Sequence, residues 1–194
     1  LQVAISKGTI QAADEPTTLL TSSLGTMGKA NSPAEARTAA CGVGAAVGAL
    51  GEAALGAHNV VATLHSTMDS KSKEAASARE AATLAVGILC VTLRRAFEPY
   101  SIPMLPKLVK AFVDKDKAVA DAACKAALVM MNALSTLSVK IVVKALYEGM
   151  GVVGGGGRSR TECLQLVSLL ASRALGCHAA LPKSPRARLP PPPP

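Results

Sequence analysis

The residues whose type and spacing suggest chemistry are lysines and arginines, and the chemistry they suggest is anion binding. Lys107 and Lys110 lie on the polar side of a helical pattern whose apolar stripe is Leu105, Leu108, Val109 and Phe112. Lys140 and Lys144 share one face of a later pattern. Lys115 and Lys117 belong to a charged tetrad, Asp114-Lys115-Asp116-Lys117, that separates two apolar stretches. Arg158 and Arg160 follow the run Gly154–Gly157, whose unhindered backbone amides beside a helix start suit an anion. A phosphate contact needs only a point charge, so lysine suffices, and such binding weakens steeply with salt. Plainer roles compete at each position: a solvated helix face, a flexible glycine linker, or a turn in which Asp114 or Asp116 caps the next helix.

The bulk composition agrees with an anionic partner. Twenty-one Lys and Arg against thirteen Asp and Glu give a net charge of +8, a balance that favours RNA or an acidic protein surface. Aromatic residues are only 2% and there is no Trp, so stacking platforms for reading single-stranded RNA bases are lacking. Other chemistries fail on spacing. Cys41, Cys90, Cys124, Cys163 and Cys177 form no C-x-x-C pair, which reads as reduced thiols in a cytoplasmic protein. His58, His65 and His178 are isolated, and Asp114 with Asp116 is too small a set for a calcium loop. "GTMGKA" at 25–30 lacks the first glycine and the final Ser/Thr of a P-loop. "GVGAAVG" at 42–48 has one residue too many for a dinucleotide fingerprint and no strand before it. No cofactor, metal or catalytic set is expected. The apolar run Cys41 to Ala57 contains Glu52 and is too short for a membrane span.

The elements that must position these side chains are helices. The chain is 49% hydrophobic, mostly Ala, Val and Leu, and small side chains of high helix propensity suit helices packed closely on helices. Residues 1–30 are expected to be an irregular or weakly helical lead-in, punctuated by Pro16 and by the Gly25–Gly28 region. Ser32, Pro33 and Glu35 predict a helix start, with the helix running to about Leu50 and a shorter one over Asn59–Met68. One long helix is predicted over 70–95, its stripe Ala78, Ala81, Ala85, Ile88 and Thr92 widened by Leu84 and Leu89. Pro99, Pro103 and Pro106 are expected to break or start helices before the Leu105–Phe112 stripe. Further helices follow over about Ala118–Leu134, Ser138–Gly149 and Arg160–Leu175. The Pro-rich segment 182–194 is expected to be an extended tail.

A repeat organises them. "AREAATLAVGIL" (78–89) superposes on "VADAACKAALVM" (119–130) at an offset of 41, with Glu80 on Asp121 and Ala85 on Ala126. A second step places Asp121 on Glu162 and Leu128 on Leu169. A helical hairpin repeated about every 40 residues is the period of HEAT and armadillo arrays, and two helices per unit favour HEAT. The fold class is therefore all-α, a HEAT-like helical-hairpin solenoid spanning 31–181, with best units 70–114 and 115–150 and a partial unit 158–177.

The stretches "FEPYSIPMLPKLVKAFVDKDKAVADAA" (97–123) and "SVKIVVKALYEGM" (138–150) resemble the HEAT region of elongation factor 3, a ribosome-bound translation factor whose HEAT region precedes two ABC-type ATPase domains. Phe97-Glu98-Pro99-Tyr100 and Leu105-Pro106 are also similar to the HEAT array of the general-control translational activator. The latter binds ribosomes and stimulates a kinase of an initiation factor. Ala120 stands where HEAT repeats commonly carry a basic residue, which argues against the usual Asp–Arg ladder. The resemblance implies a non-catalytic scaffold that binds the ribosome, through its RNA and proteins, or other translation factors. It leaves two alternatives open: the front part of an ATP-dependent ABC-type elongation factor, and a general adaptor for protein partners. Second helices line the concave side of such arrays, so Lys107, Lys110, Lys140 and Lys144 are expected to form a basic stripe there. The helix at 160–175 is followed by prolines, so Leu164, Val167, Leu170 and Ala174 are expected to be partly uncovered, as in a piece of a longer array.

Overall fold

A computed structural model describes residues 2–72, 74–152 and 157–179, with side chains described from 15 to 173 apart from positions 73, 149, 151–156 and 158. The Pro-rich tail and Gly154–Gly156 therefore lie outside the described residues, as do the side chains of Arg158 and Ala174. Among the described residues every regular element is helical. They are α1 (Gln2–Gly28), α2 (Pro33–Leu50), α3 (Ala53–Ala57), α4 (Val60–Met68), α5 (Ala76–Leu93), a 3-10 turn (Arg94–Phe97), α6 (Glu98–Ala111), α7 (Lys117–Ala133), α8 (Val139–Val152) and α9 (Gly157–Ala179).

The helix ends carry the predicted period. Glu98 to Val139 and Ala111 to Val152 are both steps of 41, so α6 and α8 are equivalent second helices. The first helices α5 and α7 start 41 residues apart, at Ala76 and Lys117. Local chemistry sets the boundaries. Ser32 caps α2 by accepting the Glu35 N–H, while the Glu35 carboxylate accepts the Asn31 N–H at 2.9 Å, and Pro33 sits in the first turn. Gly51, at φ 81°, ends α2 and donates its N–H to the Val47 carbonyl at 2.8 Å. Asp116 caps α7 through the Ala118 N–H.

Three expectations need correction. Residues 2–28 form one helix through Pro16, not an irregular lead-in, because Leu20 and Met27 are fully buried in the shared core beside α2. Helix α5 begins at Ala76, not at 70, because the Ser70 and Ser72 carbonyls are turned to the Arg79 guanidinium instead of into a helix. Pro103 and Pro106 lie inside α6 instead of breaking it. Lacking N–H groups, they leave the Pro99 and Ile102 carbonyls without α-helical partners. Both prolines are on the exposed side of the helix, where a carbonyl without a helical partner can turn to solvent.

The core is built on α5, which packs against α2 on one side and α7 on the other, with α4 and α6 beneath. Ala78, Ala81, Ala85 and Leu89 are buried as predicted, and so are Ala82, Val86 and Cys90. A helix flanked on both sides has no single stripe, so Thr92 is exposed and Leu84 and Ile88 are only half-buried. Glycine allows the close approaches. A Cβ on Gly44 would collide with the Ile88 side chain, and one on Gly87 would lie 3.3 Å from the Ala126 Cα. Under the first helices, Phe97, Met104, Leu105, Leu108 and Phe112 are fully buried; each such side chain stabilises by about 1.5–3 kcal/mol. The run Ala76–Ala111 has the length and hydropathy of a membrane span, but 56% of its most apolar window is buried inside the array, as for a core helix.

Candidate functional site

Polar side chains tie the two helices of a unit together and each unit to its neighbour. Arg79, at the start of α5, holds the Asp114 carboxylate with two bonds of 3.0 and 3.1 Å and donates to the Ser70 and Ser72 carbonyls at 3.3 and 2.8 Å. Asp114 also accepts the Asp116 N–H at 2.9 Å. Lys107, late in α6, pairs with Asp69 and donates to the His65 carbonyl at the end of α4. Glu98, first residue of α6, accepts the Ser135 N–H at 3.1 Å, the Ser135 hydroxyl at 2.7 Å and the Ser138 hydroxyl. Arg173 of α9 donates to the Met131 and Leu134 carbonyls that end α7. These ties fix directions: α4, α6 and α8 run parallel to one another, and α5 runs antiparallel to α6.

The charged tetrad is first of all a joint. Asp114 binds Arg79 and Asp116 caps α7, so both acids are engaged within the fold. The Asp–Arg connection that Ala120 argues against is present, but its arginine comes from the first helix of the same hairpin; Ala120 itself is buried. Beside this joint lies a cleft of about 600 Å³ between the ends of α4 and α6 and the starts of α5 and α7. Its apolar floor includes Met68, Ala76 and Val119, and its rim carries Lys71, Lys107, Lys110 and Lys115. Arg79 neutralises Asp114 and Lys107 neutralises Asp69. Lys71, Lys110 and Lys115 are left exposed, with no ion pair among the described residues. The result is a positively charged recess with an apolar floor.

The other predicted residues lie elsewhere. Lys117 is exposed at the start of α7 and does not line the cleft. In the 41-residue register Lys140 and Lys144 match Pro99 and Pro103, so they occupy the first half of α8, whereas Lys107 and Lys110 occupy the last third of α6. In that register the four lysines fall at positions 99, 103, 107 and 110 of the second helix, steps of four, four and three along one helical face, and Lys107 is engaged in a tie. Lys144 approaches Glu148 at 3.9 Å, both largely exposed, a pair of small energetic weight. Arg160 is exposed on α9, and the Gly154–Gly156 anion loop and the Arg158 side chain are outside the described residues. Sequence reasoning missed Lys71, Arg79, Glu98 and Arg173. For the last three the signal was separation: each tie spans 35 to 42 residues, one period.

The surroundings tune several groups. Burial and then the Lys107 charge lower the His65 imidazole from its usual value, outweighing Asp69. Burial pushes Glu98 up, but the Ser138 and Ser135 bonds and the Arg95 charge together carry it below the ordinary carboxylate value. Burial pushes the Cys90 thiol up to about 12 despite a Ser101 hydrogen bond, which leaves it unreactive. Among the described residues no three His, Cys, Asp or Glu side chains converge as a metal site.

Comparison with known proteins agrees with this architecture. The family model described as EF3 N-terminal HEAT repeat matches residues 36–175. The protein ILITYHIA of Arabidopsis thaliana is 35% identical over 143 residues, covering 74% of this chain and 5% of that protein. The eIF-2-alpha kinase activator GCN1 of Dictyostelium discoideum is 38% identical over 117 residues, covering 60% of this chain and 4% of that protein. The stalled ribosome sensor GCN1 of Homo sapiens is 34% identical over 117 residues, again 60% and 4%. The chain thus spans about one twentieth of the length of these relatives. No solved structure matches. With the family match covering most of the helical array and the hairpin period present in the coordinates, the chain belongs to the EF3 N-terminal HEAT repeat family.

Proposed function

We propose that this array is a non-catalytic, cytoplasmic scaffold that docks on the ribosome, using the cleft at the α4–α7 joint to contact ribosomal RNA phosphates. One observation carries the reading: five cations line the cleft against three acids, Asp69 and Asp114 are paired with Lys107 and Arg79, and Asp116 is engaged by the Ala118 N–H, so Lys71, Lys110 and Lys115 leave the recess net positive. The names of the relatives, a stalled ribosome sensor and an initiation-factor kinase activator, support the same cellular setting. The absence of aromatic side chains from the cleft lining favours backbone contact over base reading.

The test is ribosome co-sedimentation across a salt series with Lys71→Glu, Lys110→Glu and Lys115→Glu combined. Lys107 is left intact because its substitution would release Asp69 and disturb α4. The variant is expected to bind more weakly at every salt concentration, with the slope of log K against log salt reduced by about one per phosphate contact removed. Co-sedimentation equal to that of the unchanged chain would overturn the proposal.

A further inference from the structure

Along the first two thirds of the second helices, ahead of the cleft residues, the surface has a different chemistry. Helices α6 and α8 pack side by side and in parallel, tied at their N-terminal ends by Glu98 and Ser138. The 41-residue register sets Tyr100 beside Ile141, Pro103 beside Lys144 and Pro106 beside Tyr147. All six of these residues are exposed. Ile141 is 59% exposed, Tyr147 75%, and Leu137, just before α8, 88%. Parallel helices in contact lie about 8–10 Å apart, so these residues form a two-helix platform with apolar rows at Tyr100/Ile141 and Pro106/Tyr147 and Lys144 between them. The chain exposes no comparable group of large apolar residues on α2 or α4.

The charges around this platform name its occupant. Lys140 and Lys144 stand on it, and Arg95, whose charge acts on Glu98, stands exposed at its N-terminal end. Glu98 is engaged by two serines, which leaves Glu148 as the exposed acid opposing three cations. Two helical ridges, with Tyr100 and Ile141 at one level and Pro106 and Tyr147 six residues (about 9 Å) farther on, fit a third helix laid between them. A second copy of this chain would bring like charge to like charge, given its net +8. RNA gains little from a centre made of Ile141, Tyr147, Leu137 and prolines. We infer that the α6–α8 platform is a docking surface for an acidic amphipathic helix of a protein partner, with its apolar stripe on Tyr100, Ile141 and Tyr147 and its carboxylates on Arg95, Lys140 and Lys144. The platform is separate from the cleft, so one array can hold RNA and a protein helix at once.

The test uses the full chain and two synthetic helical peptides of about 18 residues, five turns. One has a Leu stripe with Glu on both flanks; in its twin every Glu is Lys. Fluorescence anisotropy is expected to show saturable binding of the acidic peptide and none of the basic one. Ile141→Ser with Tyr147→Ser, and separately Lys140→Glu with Lys144→Glu, are each expected to weaken binding about tenfold or more. Lys115→Glu, in the cleft, is expected to leave peptide binding unchanged. Circular dichroism should confirm that the variants keep their helicity, as substitutions of exposed residues allow. No binding of the acidic peptide would overturn the inference, as would equal binding of both peptides or an acidic complex indifferent to both pairs of substitutions. Sedimentation showing a dimer that Ile141→Ser abolishes would assign the platform to self-association and overturn it as well.

Discussion

Replacing Arg79 by Met keeps most of the side-chain volume and removes the guanidinium, which isolates the energetic weight of one joint. Four hydrogen bonds are lost: two to Asp114 at 3.0 and 3.1 Å, and two to the Ser70 and Ser72 carbonyls at 3.3 and 2.8 Å. The side chains of Arg79 and Asp114 are only 12% and 17% exposed, so Asp114 would be left mostly buried without its partner. Stripping one member from a buried pair costs about 3–5 kcal/mol. The residual solvent contact of both groups lowers that to about 3 kcal/mol, or about 6–12 °C in Tm for a chain of this size. Urea unfolding followed by circular dichroism measures it. Arg79→Lys should recover less than half, because a single ammonium cannot reach a carboxylate and two loop carbonyls in fork geometry. Asp114→Ala combined with Arg79→Met should cost less than the sum of the two single changes, by about 1–3 kcal/mol. A loss below about 0.5 kcal/mol for Arg79→Met, or strict additivity in the cycle, would refute the view that this pair locks the joint.

Two further outcomes follow from the packing and the titration. Gly44→Ala should destabilise by about 1–3 kcal/mol in thermal melts, since its methyl group enters the space held by Ile88, whereas Gly56→Ala, with open space around it, should not. Glu98 titrates below its ordinary value of 4.5, so its contribution is present above that pH and is lost as pH falls through its lowered folded value. Glu98→Gln should therefore cost about 1–3 kcal/mol at pH 7 and progressively less as pH falls below 4.5, measured by denaturant midpoints across that range.

The architecture was legible because it is periodic. Alanine spacing in α5 and α7, the caps at Ser32 and Asp116, and the 41-residue offset are local signals that survive without coordinates. Helix α1 was illegible for a physical reason: Pro16 and scattered glycines lower its intrinsic propensity, and its order comes from Leu20 and Met27 entering a core made by other helices. Pro103 and Pro106 misled in the same way, because on the exposed side of the helix the carbonyls they orphan can turn to solvent. At the site, sequence offered cations but not their bookkeeping. Lys107 and Lys110 look alike in the pattern, yet Asp69 occupies one and leaves the other free for a ligand.

The one-period ties described above, within units and between them, have a consequence for how such chains lengthen. Lys107 to Asp69, Arg79 to Asp114, Glu98 to Ser135 and Arg173 to Met131 all reach 35 to 42 residues along the chain and no farther. Tandem duplication of one 41-residue segment would give every new side chain a partner at the old distance, so copying preserves the wiring. An insertion of half that length would strand each of these groups beside the wrong helix. Growth by whole copies is thus the cheapest route open to this fold, and relatives of whose length the matched segment is only 4–5% are what that arithmetic permits.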